Sequence, residues 1–133
     1  MTMLRSRTIS ISINRDPKTV YEFVSNLENL PRWASMAFRS IKQLNGEWIV
    51  ETPQGSAKVS LTERNRFGVL DHYVKTSTGI EVFVPMRVVQ NGEGSEVIFT
   101  LFQTVDMSDE RFAEDIRMVE QDLKHLKSIM EEG

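Results

Sequence analysis

Between residues 36 and 105 the sequence repeats one pattern, in which a run rich in Val, Ile, Phe and Thr ends at a turn signal. The turn signals are Asn45-Gly46, Pro53-Gln54-Gly55, Thr78-Gly79 and Asn91-Gly92. β-branched and aromatic residues favour strands, and Asn-Gly pairs favour tight hairpin turns. The pattern predicts six strands, at about residues 36–44, 47–52, 56–64, 69–76, 80–90 and 95–105. Because their connections are short, we expect neighbouring strands to be antiparallel.

A seventh strand is predicted over residues 6–13. Ile9, Ile11 and Ile13 alternate there with small polar residues. A period of two places the isoleucines on one face of a strand. We therefore expect seven strands in one antiparallel sheet.

Two short helices are predicted directly after this first strand. Asp16 can cap the amides of a first helical turn, and Pro17 suits the first helical position. Apolar residues follow at the spacing of one helical face, namely Val20, Phe23, Val24 and Leu27. Pro31 limits how far the first helix can continue and leaves room for one more turn before Trp33.

The longest helix is predicted at the C-terminal end of the sequence. Ser108 offers an N-cap, and Asp109 and Glu110 place negative charge in the first turn. One apolar stripe runs along the helix, formed by Phe112, Ile116, Val119, Leu123, Leu126 and Met130. At 1.5 Å per residue, roughly 22 residues would span about 33 Å, which is enough to cross a sheet.

Composition excludes several classes of protein. The chain has 133 residues and no cysteine. This length is enough to form a hydrophobic core without disulfides, and we expect one domain over residues 1–133. The net charge is -3 and no dense basic stripe occurs, so we expect no nucleic-acid partner. The sequence has neither an apolar run that could cross a membrane nor a secretory signal, which predicts a cytoplasmic protein. Two histidines, no cysteine and no phosphate-binding loop predict no metal and no cofactor.

The order of these elements, together with several segments, resembles the START-like superfamily, also called Bet v 1-like or SRPBCC. Residues 16–25, followed by Asn29-Leu30-Pro31-Arg32-Trp33, are similar to the family's opening helices with their Trp. The segments at 68–72, 84–89 and 122–127 are similar to the bacterial polyketide cyclase/dehydrase-like branch. The resemblance covers nearly the whole chain.

This resemblance implies an α+β helix-grip fold, in which a seven-stranded antiparallel sheet curls around the long C-terminal helix. In such proteins the ligand lies between sheet and helix, in a pocket closed by the two short helices. We therefore expect a small hydrophobic ligand, lipid-like or polycyclic aromatic and polyketide-like, held for carriage or sensing. An apolar pocket with a few polar groups is what such binding requires.

Five residues are the candidate ligand contacts. Trp33, Met36, Met86 and Phe99 are expected in the apolar walls, and His72 is expected as the polar anchor. A Trp ring can stack on a ligand ring, and Met adapts to varied apolar shapes. Any of the five could instead be an ordinary core residue. The facing of strand 95–105 also stays open, because both of its faces are apolar.

Two other functions remain open at this point. The same cavity could serve a polyketide cyclase or dehydratase, with His72 as the candidate catalytic acid or base. Alternatively, the acidic helix end or an open sheet edge could dock a partner or a second copy, which would give a homodimer.

Overall fold

The structure, a computed structural model, describes residues 3–132. The elements follow in the order β1 (Ser6–Ile13), α1 (Pro17–Ser25), a 3-10 turn (Leu27–Asn29), α2 (Leu30–Trp33), β2 (Ser40–Leu44), β3 (Glu47–Thr52), β4 (Gly55–Leu61), β5 (His72–Thr76), β6 (Glu81–Val84), β7 (Met86–Asn91), β8 (Gly94–Phe102) and α3 (Asp109–Glu132). This order confirms the predicted sequence of a strand, two short helices, a strand meander and a long C-terminal helix.

The strands form two hydrogen-bonded groups, so the prediction of one seven-stranded sheet was wrong. One group has the order β2-β3-β4-β5-β6, and the other has the order β1-β8-β7. The predicted strand 80–90 is divided at Pro85, which has no amide hydrogen to donate to a neighbouring strand. Before this proline, Val84 pairs with His72 on β5. After it, Met86 pairs with Phe99 on β8.

The segment that precedes β5 joins the two groups of strands. The amide of Leu70 donates to the carbonyl of Met86 at 2.8 Å, and the amide of Val88 donates to the carbonyl of Gly68 at 2.9 Å. Backbone hydrogen bonds therefore continue from β7 to the chain that enters β5, although β5 and β7 belong to different groups.

Asp71 supports the same junction with its side chain. Its carboxylate accepts a hydrogen bond from the amide of Met86 at 2.9 Å and forms an ion pair with Arg87 at 2.9 Å. Burial opposes ionisation, but the Arg87 guanidinium and the Met86 amide hold the pKa of Asp71 below its usual value. The charged carboxylate thus binds the residue that follows Pro85.

The start of α1 is formed as predicted. Asp16 accepts hydrogen bonds from the amide of Thr19 at 3.0 Å and from the hydroxyl of Thr19 at 2.7 Å. Pro17 occupies the first turn, where its missing amide hydrogen costs nothing. The chain then turns twice and ends α2 at the buried side chain of Trp33.

Helix α3 packs against β1 and α2 and covers the inner side of the strands. Four residues of the predicted stripe are buried, namely Phe112, Leu123, Leu126 and Met130. Arg15, in the turn after β1, donates to the carbonyl of Met130 at 2.9 Å. Burial of these apolar side chains and the hydrogen bond from Arg15 together hold α3 against the strands.

Candidate ligand-binding site

A large cavity lies between the inner faces of the strands and one side of α3. Its volume is about 410 Å³, which is within the usual range for small-molecule sites. Met118 and Val119 of α3 form one wall. The opposite wall consists of apolar side chains from four strands: Ala57, Val74, Val82, Val84, Phe99 and Leu101. The cavity is therefore lined mainly by hydrocarbon.

The alternation of side chains along the strands produces this apolar wall. Val82 and Val84 of β6 both line the cavity, whereas Phe83 between them is 38% exposed on the outer face. On β8, Phe99 and Leu101 likewise line the cavity from one face. The facing of strand 95–105, which the sequence left open, thus places Phe99 inward.

Exposed polar residues open the large cavity to solvent on one side. We call this region the mouth, and it consists of Gln54, Ser56, Ser77, Thr78 and Asp106. Arg111 of α3 lies beside the mouth. Its Nε donates to Asp115 at 2.9 Å, and its Nη2 donates to Gln54 in the β3–β4 turn at 2.7 Å. One guanidinium therefore connects α3 to the strands next to the opening.

A second, much smaller cavity lies beneath α1 and α2. Its volume is about 20 Å³, which is enough for one water molecule. It is lined by Val24, Leu27, Leu30, Trp33, Phe38, Val59, Leu61, Leu70, His72 and Met86. Phe38 also lines the large cavity, so one aromatic ring borders both spaces.

Trp33 lines the small cavity, and its side chain has an unpaired donor. The residue is 4% exposed, and its indole Nε1 has no hydrogen-bond partner among residues 3–132. A buried N–H without an acceptor costs about 1–3 kcal/mol. Such groups are rare in folded proteins, and an internal water or a ligand atom is one kind of partner that satisfies them.

His72 also lines the small cavity. Its Nδ1 lies 2.9 Å from the carbonyl oxygen of Leu70. Since a carbonyl can only accept, Nδ1 carries the hydrogen. Burial lowers the pKa of His72 below its usual value, against the opposing effects of the Leu70 carbonyl and the Asp71 charge. The imidazole is therefore neutral near pH 7, and its Nε2 has a lone pair.

The structure divides the five candidate contacts between different places. Trp33, His72 and Met86 line the small cavity together. Phe99 lines the large cavity, and its ring contacts that of His72 in a T-shaped arrangement with 6.2 Å between centroids. Met36 is 47% exposed and lines neither cavity.

Asp122 is a structural residue of the site that sequence reasoning missed. It is 3% exposed on α3 and accepts hydrogen bonds from the amides of Met36 and Ala37, at 3.0 and 3.3 Å. Burial raises the pKa of Asp122 to about 6, although the two amides and His125 act in the opposite direction. The carboxylate thus anchors the loop that carries Ala37 and Phe38 into the cavity walls.

A signal for Asp122 is present in the helical pattern. Val119 lies three residues before it and Leu126 four residues after it, and both belong to the apolar stripe. A carboxylate on that face of α3 has to be buried. Phe38 also carried a signal, because it lies two residues after Met36 in the predicted strand 36–44 and would share its face; in the structure it lies in the loop before β2.

Residues 3–132 contain no group of three or more His, Cys, Asp or Glu side chains that could hold a metal ion. Within the same range, no helix is both long and apolar enough to cross a membrane.

No protein-family model matches the sequence, and no curated protein matches it. Several solved structures do match. XoxI from Bacillus cereus aligns with a TM-score of 0.77 over 96% of each chain, at 19% identity. A START superfamily protein from Mycobacterium smegmatis aligns with a TM-score of 0.74 over 96% of this chain and 97% of its own, at 12% identity. The Bet v 1 allergen Ara h 8.0201 aligns with a TM-score of 0.73 over 98% of this chain and 100% of its own, at 13% identity. These likenesses establish the fold of the chain.

Proposed function

We propose that this protein, which has the START-like or Bet v 1-like fold, binds a small hydrophobic molecule in the large cavity for carriage or sensing. The observation that carries the proposal is the cavity of about 410 Å³ with apolar side chains on both walls. Ligands of this class are lipid-like or polycyclic aromatic and polyketide-like molecules. Neighbouring structures of this fold include a START superfamily protein and a Bet v 1 allergen, which agrees with the proposal.

The expected affinity follows from the apolar area that a ligand would bury. A two- or three-ring molecule that buries about 300 Å² gains about 7 kcal/mol on leaving water. Loss of ligand freedom and ordering of wall side chains offset much of this gain. We therefore expect dissociation constants between the micromolar and millimolar ranges.

A bulky substitution in the cavity wall tests the proposal. Ala57 is 5% exposed at the wall, so Ala57→Phe places a ring inside the cavity. We expect it to weaken binding of N-phenyl-naphthylamine by at least about tenfold. The measurement is a fluorescence titration, combined with native mass spectrometry of gently purified protein to detect a retained molecule.

Ser60→Phe is the matched control, because Ser60 is exposed on the other face of the same strand. It adds the same ring to β4 outside the cavity and should leave binding unchanged. If the wild-type protein does not bind the dye, or if Ala57→Phe binds it equally well, the proposed site is wrong.

The alternative function, a polyketide cyclase or dehydratase with His72 as acid or base, stays a prediction. The observation in its favour is the neutral imidazole, whose Nε2 lone pair could take a proton from a substrate. His72 lines the small cavity, so a reacting group would have to reach that space.

A further inference from the structure

The small cavity has room for one oxygen atom and few other groups. Its volume of about 20 Å³ matches a single water or hydroxyl, and its lining is apolar except for two side chains. Those two side chains are Trp33 and His72. A polar group placed there would be surrounded by hydrocarbon on every other side, which strengthens its hydrogen bonds to these two residues.

Trp33 needs a hydrogen-bond acceptor as its partner, whereas His72 needs a donor. Indole Nε1 can only donate, and it has no acceptor among residues 3–132. Imidazole Nδ1 donates to the Leu70 carbonyl, so Nε2 can only accept. A single group that hydrogen-bonds both nitrogens must accept one hydrogen bond and donate another.

We propose that the small cavity is the polar end of the ligand site and selects a ligand that carries an alcohol or phenol hydroxyl. A hydroxyl accepts from Trp33 and donates to His72. A ketone oxygen can accept from Trp33, but its lone pairs face the lone pair of His72. A carboxylate would bring a charge into an apolar space that offers no cation. This inference rests on the proposed function, because the body of the same ligand occupies the large cavity.

The two cavities are neighbours, as a ligand that reaches from one into the other requires. Phe38 lines both spaces. The ring of Phe99, in the wall of the large cavity, contacts the ring of His72 in the small one. Met86 of the small cavity also pairs with Phe99 in the strand register. In the proposed complex the hydroxyl lies in the small cavity beside Phe38 and Phe99, while the hydrocarbon body stays in the large cavity.

Water is the other source of a group that both accepts and donates. We expect one internal water to fill this position in the protein without ligand, and the ligand hydroxyl to displace it. The two sources are distinguished by whether the indole signal of Trp33 changes when a hydroxyl compound binds.

The test compares three compounds with one carbon skeleton: α-tetralol, α-tetralone and tetralin. Each is titrated into ¹⁵N-labelled protein, where the chain gives only two indole signals, from Trp33 and Trp48. We expect α-tetralol to bind roughly five- to tenfold more tightly than either of the other two. The signal of Trp33 should shift with α-tetralol, and that of Trp48 serves as the internal control.

Three variants assign the selectivity to the small cavity. Trp33→Phe removes the donor and His72→Phe removes the acceptor, so each should reduce the preference for the alcohol to less than about twofold. Trp48→Phe removes the other indole, whose residue does not line the small cavity, and should keep the preference. Since each preference is a ratio within one variant, a general loss of affinity does not affect the comparison. If a variant fails to fold, the indole shifts of the wild-type protein still decide the question.

Each outcome supports or overturns the inference. Equal binding of the three compounds would overturn it and leave the proposed function standing. A water that stays close to the Trp33 indole hydrogen after α-tetralol binds would show a water site only, and would also overturn it. If N-phenyl-naphthylamine binds but none of the three compounds does, only the inference fails. If the dye does not bind either, the proposed function fails with it.

Discussion

Asp122 has a buried carboxyl group, and burial disfavours the charged form of this group. Its pKa is raised to about 6, compared with an ordinary value of 3.8. Between these two pH values the folded protein keeps a proton that the unfolded chain has released. The folded state is therefore favoured at the acid end, and this contribution is lost as the pH rises toward 6.

Asp122→Asn tests this sign, because asparagine does not titrate. As the pH rises from about 4.5 to about 7, the wild-type protein should lose about 2 kcal/mol of unfolding free energy relative to the variant. The measurement is urea unfolding of both proteins across this range. Glu114→Gln, which removes a negative charge from the exposed side of the same helix, controls for net charge. Parallel pH curves for wild type and Asp122→Asn would contradict the prediction.

The junction between the two groups of strands depends on a close backbone approach at Gly68. Its φ is +75°, and a Cβ added there would lie 2.1 Å from the carbonyl oxygen of Val88. Only glycine allows this approach, because the oxygen belongs to backbone that is already hydrogen-bonded to Gly68.

Gly68→Ala should therefore destabilise the protein by about 3 kcal/mol or more, since it combines backbone strain with a clash. Gly46→Ala is the matched control. Gly46 has a similar φ of +81°, but nothing lies within 4 Å of its added Cβ. It should cost only about 1 kcal/mol, from backbone strain alone. Guanidinium unfolding of both variants gives the comparison, and equal losses would show that the contact with Val88 is unimportant.

The sequence predicted most individual elements, because their signals are local. The strand at 47–52 and the cap at Asp16 agree with the structure, since alternation and capping depend on neighbouring residues. The split at Pro85 was missed for a physical reason. Val84 and Met86 keep the same inward parity across it, so the apolar pattern shows no break. The change occurs in the partner strand, which is a non-local property.

The candidate site was less predictable than the fold. His72 and Trp33 come from distant elements, and only the packed structure brings their polar atoms to one small cavity. Met36 was expected in the cavity wall, and the predicted strand 36–44 began at this residue. The strand begins at Ser40 instead, so Met36 lies in a loop where alternation has no meaning.

At the scale of the whole molecule, helix α3 and the strands enclose the large cavity between them, and Arg111 joins these two parts beside the mouth. Its side chain hydrogen-bonds Asp115 on α3 and Gln54 on the strand side. We expect a ligand to pass through the mouth more easily when α3 and the β3–β4 turn move apart. The guanidinium contacts oppose that separation.

We therefore expect Arg111→Ala to raise both the association and the dissociation rates of N-phenyl-naphthylamine, by roughly three- to tenfold. The dissociation constant should change much less, because the apolar walls are unaltered. Stopped-flow fluorescence measures both rates. Arg117→Ala, at an exposed position on the same helix, is the control. Unchanged rates would mean that the ligand enters elsewhere.

The homodimer suggested by the open sheet edges stays a prediction.

The pairing of β1 with β8 has a consequence for synthesis of the chain. Ser6 pairs with Phe102 and Ile13 pairs with Ser95, so the partner of β1 is translated roughly 80 or more residues later. At ribosomal speeds of about 5–20 residues per second, this leaves roughly 4–20 s. During that time the isoleucine face of the nascent β1 has no strand beside it and no helix over it. Unpaired apolar strands of this kind are prone to aggregate and are suited to chaperone capture, so the newborn chain is vulnerable at β1 until β8 has been made.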